Sequence, residues 1–279
     1  MAYGLARLER SPLIAGSPLP SIIAVALLIA ALGGLLARGA GWTGAHVLAG
    51  MAGYTIVSAV VMVALGGGRK RPGFGIANQV TLLRAGLVCL AGGALLVGQP
   101  SSTSGWSLAG LVAAALSLDA VDGWLARRLR VASSFGARFD LEIDALLILV
   151  LALLVWQSGR VGPWVLAIGL MRYAFVLASW PFPALGGPLP PSRRRQAICV
   201  QQGIALLICL LPPVGSAPAK AFAGLALLAL LASFASDIIY LVRASKKPPG
   251  FGTVDRLTDR AILLSTPECR DPPTCRTRT

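Results

Sequence analysis

Five acidic side chains stand close together in a chain that is otherwise poor in them: Asp119, Asp122, Asp140, Glu142 and Asp144, out of eleven Asp and Glu in 279 residues. Asp119 and Asp122 are three apart and Asp140 and Asp144 four apart, so each spacing puts a pair on one face of a helix. A short connection between the two helices would bring both faces together. Four neighbouring carboxylates repel by roughly several kcal/mol per pair at intermediate dielectric, and either protonation or a bound cation relieves that repulsion. An all-oxygen ligand set favours magnesium or manganese over zinc. No His–Cys set competes, because the lone His46 falls at the opposite, outer end of a predicted span and reads as an interfacial residue. Glu142 lies on another helical face and reads as an ordinary interfacial charge. Gly123, Ala126 and Gly136 leave room for a ligand to approach backbone between two helices. Arg127 has two readings, a phosphate contact and a topogenic anchor of the kind Arg128 and Arg130 provide. A phosphate-rich ligand bridged by metal accounts for acids and a base in one pocket.

The elements that must position these groups are membrane helices. The chain is 56% hydrophobic and 13% charged with a mean hydropathy of +0.74, whereas soluble domains carry about 25% charged residues. Apolar stretches predict eight spans, at 17–37, 45–66, 75–98, 106–126, 139–157, 161–180, 197–214 and 218–242, each long enough to cross a bilayer as a helix. The breaks carry turn and charge signals, among them Gly66-Gly67-Gly68 before Arg69-Lys70-Arg71, and the stretch from Pro181 to Arg195. Alternating sides through eight spans gathers Arg7, Arg10, Arg69–Arg71, Arg127, Arg128, Arg130, Arg138, Arg193–Arg195 and the tail from Arg243 on one side. Only Arg38, Arg160 and Lys220 fall on the other. The basic side is therefore read as cytosolic, with the acidic residues at its edge. The net charge of +14 sits in short connectors and is not interleaved with aromatics, which excludes a nucleic-acid surface. The first apolar run has an alternative reading as a signal peptide, with Ala37-Arg38-Gly39-Ala40 as a weak cleavage site. Cys89, Cys199 and Cys209 read as small hydrophobes. Cys269 and Cys275 lie in a polar, Pro-containing tail with no nearby His.

Taken in order, Asp119, Asp122-Gly123, Ala126-Arg127, Gly136, Asp140 and Asp144 resemble the signature of the CDP-alcohol phosphotransferase (phosphatidyltransferase) family at every defining position. Asn78, Thr81 and Arg84 are similar to the opening of that family's first core helix. The resemblance implies an all-α polytopic membrane protein with a six-helix core over residues 73–245. Two extra transmembrane helices would precede it in residues 1–72, and a polar, disordered cytosolic tail would follow over 246–279. It implies a transferase of phospholipid biosynthesis that moves a phosphatidyl group from a CDP-activated donor, CDP-diacylglycerol by expectation, to an alcohol, with release of CMP. Asp119, Asp122, Asp140 and Asp144 would hold two divalent ions, magnesium or manganese, and Asp144 would be the general base. Thr81, Arg84, Gly123, Ala126, Arg127 and Gly136 would bind the CDP donor. A homodimer in a bacterial inner membrane is the implied assembly and location.

In family members with phosphorylated acceptors, basic residues near the sixth span bind the acceptor phosphate, and Arg172, Arg193, Arg194 and Arg195 occupy that region here. The expected acceptor is accordingly a phosphorylated polyol such as glycerol-3-phosphate, with inositol phosphate, serine or another alcohol as alternatives. Arg172 has a second reading, pairing with Asp237 or snorkelling to the surface, and the three consecutive arginines also read as a solvated topogenic cluster. An ion-coupled transporter is the rival from another class. It fits poorly, because transport sites favour the bilayer midplane at repeat interfaces, whereas these acids crowd one edge and no internal repeat is visible.

Overall fold

In lipid a chain must satisfy its own backbone hydrogen bonds, which a helix does locally. The computed structural model describes residues 18–66, 75–98, 105–129, 134–182 and 192–245. Among the described residues there are eight α-helices: α1 (Pro18–Gly39), α2 (Gly44–Gly66), α3 (Ile76–Val97), α4 (Gly105–Leu129), α5 (Ser134–Gln157), α6 (Leu166–Ala178), α7 (Arg193–Leu210) and α8 (Ser216–Ser245). A single 3-10 turn, Pro163–Val165, leads into α6. Each helix falls on one of the predicted spans. The main difference is that α4 and α5 run past their apolar stretches, to Leu129 and from Ser134, so most of the arginine-rich connector is itself helical.

Four stretches, Pro18–Gly39, Gly44–Leu65, Asn78–Val97 and Ser216–Arg243, are long and apolar enough to cross a membrane by length and composition. The apolar stretches Gly105–Asp119 and Pro163–Ala178 are shorter. α5 carries Asp140, Glu142 and Asp144, and α7 opens on three arginines. The charges that mark a site are thus what lowers the hydropathy of the helices bearing it.

α3 is the centre of the bundle: 67% of its apolar window is buried, against 17% for α1 and α8. It touches α1, α2, α4 and α5, and Leu82, Ala85, Val88, Leu90, Ala91 and Ala94 form its buried faces. Helices in lipid associate by close packing rather than by escape from water, and glycine permits the closest approach. A Cβ at Gly93 of α3 would overlap the His46 carbonyl oxygen and lie 3.1 Å from the Gly50 nitrogen, both in α2. A Cβ at Gly50 would in turn meet the Leu90 Cα at 2.8 Å.

Polar ties fix the same region. The Tyr54 hydroxyl donates to the Ile22 carbonyl at 3.0 Å, joining α2 to α1. Trp42 Nε1 donates to Ser107 Oγ at 2.8 Å, joining the α1–α2 turn to α4. His46 is buried, not interfacial; its ring contacts Thr43 Oγ1 at 2.8 Å and the Gly98 carbonyl at 3.0 Å. The close seating of α2 on α3 encloses it. At the same end of the bundle Arg160 donates to the carbonyls of Cys209 (3.0 Å), Leu211 (2.6 Å) and Pro212 (3.5 Å). These oxygens close the C-terminus of α7, where a cation is favoured.

Candidate active site

The two acid pairs lie on consecutive helices, yet α4 and α5 are not close-packed partners among the described residues. Both lie instead against α3 on one side and α7 on the other. α3 and α7 thus each bridge the two acid-bearing helices.

Asn78, Thr81 and Arg84 follow at helical spacing on α3 and are all buried, Arg84 completely so at 0% exposure. The Arg84 guanidinium reaches across both neighbouring helices. Nη1 donates to Asp119 Oδ1 of α4 at 2.5 Å. Nη2 donates to Asp140 Oδ1 at 2.5 Å and lies 2.9 Å from Asp144 Oδ1, both on α5. It also approaches the Asp140 backbone carbonyl at 3.3 Å. One buried cation thus gathers three of the four predicted carboxylates.

One ligand oxygen from each of Asp119, Asp140 and Asp144 lies within 4.8 Å of the others, and all three residues are half-buried. At that separation and an effective dielectric of about 20, each carboxylate pair repels by roughly 3–4 kcal/mol, and each guanidinium–carboxylate contact attracts by about 4 kcal/mol. Attraction and repulsion are of the same size, so Arg84 makes the cluster tolerable without neutralising it. Three carboxylates and one guanidinium leave two negative charges, a set of hard oxygen donors that suits a divalent ion such as magnesium or manganese.

Asp122, Gly123, Ala126 and Arg127 belong to the later turns of α4, and Arg193 opens α7; their side chains lie outside the described part of the structure. Gly136 is half-buried in the first turn of α5, one turn before Asp140. The tail 246–279, with Cys269 and Cys275, and the N-terminal segment with Arg7 and Arg10 lie outside the described residues, as do Arg69–Arg71 and Arg130.

The remaining charges pair differently from the sequence expectation. Arg172 of α6 donates to Glu142 Oε1 at 2.5 Å, not to Asp237. Asp237 of α8 instead accepts from Arg194 Nη2 at 2.7 Å, with Arg195 Nη1 at 3.9 Å from its other oxygen. The reason is packing: α6 lies along α5, and α8 lies along α7 and meets α6 less closely. Glu142 is therefore on a different face from the aspartates, as its spacing implies, but it is the partner of Arg172 and not a lone interfacial charge.

Cys199 of α7 is exposed, with Asp144, Asp119, Arg84 and Asp140 among the charged groups near it. Cys89 and Cys209 are buried. Sequence reasoning placed Arg84 among donor contacts and missed that it holds the acids. The available signal was its position inside a span, where an arginine is expensive and needs a carboxylate partner.

Comparison with known proteins gives one match. The family model described as CDP-alcohol phosphatidyltransferase matches residues 74–242, from just before α3 to within three residues of the end of α8. Neither the curated proteins nor the solved structures contain a match. The matched stretch exceeds half the chain, takes in every acid of the cluster and leaves α1 and α2 ahead of it. On that ground this integral membrane enzyme belongs to the CDP-alcohol phosphatidyltransferase family, whose members transfer a phosphatidyl group from a CDP-alcohol donor.

Proposed function

We propose that the chain transfers a phosphatidyl group from CDP-diacylglycerol to the hydroxyl of a phosphorylated polyol of the glycerol-3-phosphate type, releasing CMP. The observation that carries the reading is the convergence of Asp119, Asp140 and Asp144 within 4.8 Å, inside the stretch matched to the family. Asp119, Asp122, Asp140 and Asp144 would hold two divalent ions, and these would supply positive charge to the donor diphosphate and to the departing CMP.

The chain's own residues do the rest. An alcohol is a poor nucleophile at neutral pH, so a base must accept its proton as the new O–P bond forms. Asp144 takes that role, its carboxylate receiving the hydroxyl proton. Thr81, Gly123, Ala126, Arg127 and Gly136 shape the donor pocket, the small residues letting the nucleotide approach backbone. Arg84, wholly buried beneath the acids, acts on the donor through them.

The phosphorylated acceptor is supported by the end of α7. Arg194 and Arg195 share one carboxylate there, Asp237, and with Arg193 they form the first residues of α7, so basic residues are concentrated at a helix N-terminus, a setting that favours a phosphate. Arg172, paired with Glu142, would join them by exchanging that carboxylate for the acceptor. The Lys and Arg distribution supports a cytosolic face for this end, in a bacterial inner membrane. Residues 1–72 would form the added helices, 73–245 the core and 246–279 a polar tail. A homodimer completes the proposal and is testable by mass measurement in lipid nanodiscs.

Purified protein in nanodiscs with magnesium and radiolabelled CDP-diacylglycerol should release CMP only when an acceptor is added, and fastest with glycerol-3-phosphate from a panel that includes inositol phosphate, serine and inositol. Release that favours an uncharged alcohol would remove the phosphate-acceptor reading. Asp144→Asn should bind nucleotide without turning over, and normal turnover by that variant would exclude it as the base.

A further inference from the structure

The acid cluster has two sources of positive charge to draw on, one fixed and one exchangeable. The fixed source is Arg84. Its side chain has no exposed surface, and its two terminal nitrogens contact carboxylates from two helices that, among the described residues, are not close-packed partners. A donor phosphate approaching from solvent would meet the half-exposed aspartates first, with Arg84 behind them. Its ion pairs reach Asp119 of α4 and both Asp140 and Asp144 of α5, so its charge ties the two acid-bearing helices to α3.

We propose that Arg84 is a positioning residue that shares neutralisation of the aspartates with the divalent ions. It fixes the ligands in register from the buried side and lowers the cluster's demand for metal. The proposal rests on the reading of the aspartates as a divalent-cation site. Two consequences separate it from a merely structural role. Loss of the guanidinium leaves three negative charges facing one another, so integrity of the fold becomes dependent on divalent metal. The same loss deepens the negative potential at the site, so a divalent ion binds more tightly, not less, despite damage to the ligand geometry.

The test uses the full chain in nanodiscs, with Mn²⁺ binding followed by electron paramagnetic resonance and unfolding followed in EDTA and in Mg²⁺. In Arg84→Met the unfolding midpoint in EDTA should fall below that of the wild type. The rise on adding Mg²⁺ should be at least twice the wild-type rise, and Mn²⁺ should bind at least tenfold more tightly. Arg84→Lys, which keeps the charge, should show the wild-type Mn²⁺ affinity. The double variant Arg84→Met/Asp119→Asn removes one charge of each sign and should regain tolerance to EDTA. An unchanged Mg²⁺ response and Mn²⁺ affinity in Arg84→Met would overturn the proposal. So would failure of both Arg84→Met and the double variant to fold in either condition, because shape rather than charge would then be what Arg84 provides. Absence of Mn²⁺ binding by the wild type would instead remove the metal-site reading on which the proposal stands.

Discussion

Gly92 and Gly93 are adjacent on α3 but face different surroundings, and replacing each by alanine isolates the steric part of the α2–α3 seating. A Cβ at Gly92 finds the Val150 methyls at 3.8 and 3.9 Å, ordinary contact, whereas one at Gly93 overlaps the His46 carbonyl oxygen and crowds the Gly50 nitrogen at 3.1 Å. The helix-propensity gain of about 1 kcal/mol on replacing glycine by alanine is common to both and cancels in the comparison. What remains is the cost of overpacking, about 1–3 kcal/mol. The upper part of that range is expected, because the obstructing atoms are backbone and yield only if α2 moves as a body. Gly92→Ala should therefore be at least as stable as the wild type. Gly93→Ala should unfold earlier than Gly92→Ala by about 6–12 °C, taking a 3 kcal/mol difference and roughly 2–4 °C per kcal/mol for a chain of this size. Thermal unfolding in detergent, with residual CMP release as a second readout, measures both. Gly93 is nine residues from Arg84, about 13–14 Å along the helix, so Gly93→Ala assayed well below its midpoint should keep most of its activity. Coincident midpoints for the two variants would refute the idea that α2 is seated on α3 by this close approach.

Other expectations follow from the polar contacts. Arg160→Ala should destabilise the protein by about 1.5–3 kcal/mol, the range for a charged hydrogen-bond donor lost from otherwise unsatisfied carbonyls, with CMP release per folded molecule unchanged; unfolding midpoints and single-turnover rates check both. Chelation of divalent metal should abolish CMP release, with magnesium or manganese restoring it and zinc failing to, as a titration of activity against each ion would reveal. Arg172→Ala should raise the Michaelis constant for the acceptor at least tenfold with little change for the donor, and Glu142→Gln should lower the acceptor constant by releasing Arg172. Equal effects on both substrates would remove Arg172 from acceptor binding.

The helices were legible because lipid imposes a simple requirement, about twenty apolar residues per crossing, and because basic residues punctuate the breaks. The acid pairs were legible because charge inside apolar sequence is conspicuous and three- and four-residue spacings map directly onto a helical face. What spacing along the chain does not carry is which helices touch. Asp119 and Asp140 stand on helices joined by a short connector, yet α3 and α7 hold those helices, and Arg84 links the acids from a segment 35 residues upstream of Asp119. The partners of Arg172 and Asp237 likewise depend on α6 lying along α5 and α8 along α7, which hydropathy cannot distinguish. His46, read as a residue at the lipid boundary, is enclosed because two glycines let α2 and α3 approach, an effect of backbone proximity that composition does not encode.

The way α7 is fastened has a mechanical corollary. One terminus is pinned by three carbonyls converging on a single guanidinium, and the other bears the arginines, about 27 Å away for an 18-residue helix. The arginine end is tied as well, Arg194 and Arg195 to Asp237 of α8, so a tilt of about 5° about the pinned tip would carry that end of both helices by roughly 2 Å over that length. Such a tilt would move Arg194, Arg195 and Asp237 as one group, while the carboxylates, braced by Arg84 from α3, would keep their spacing.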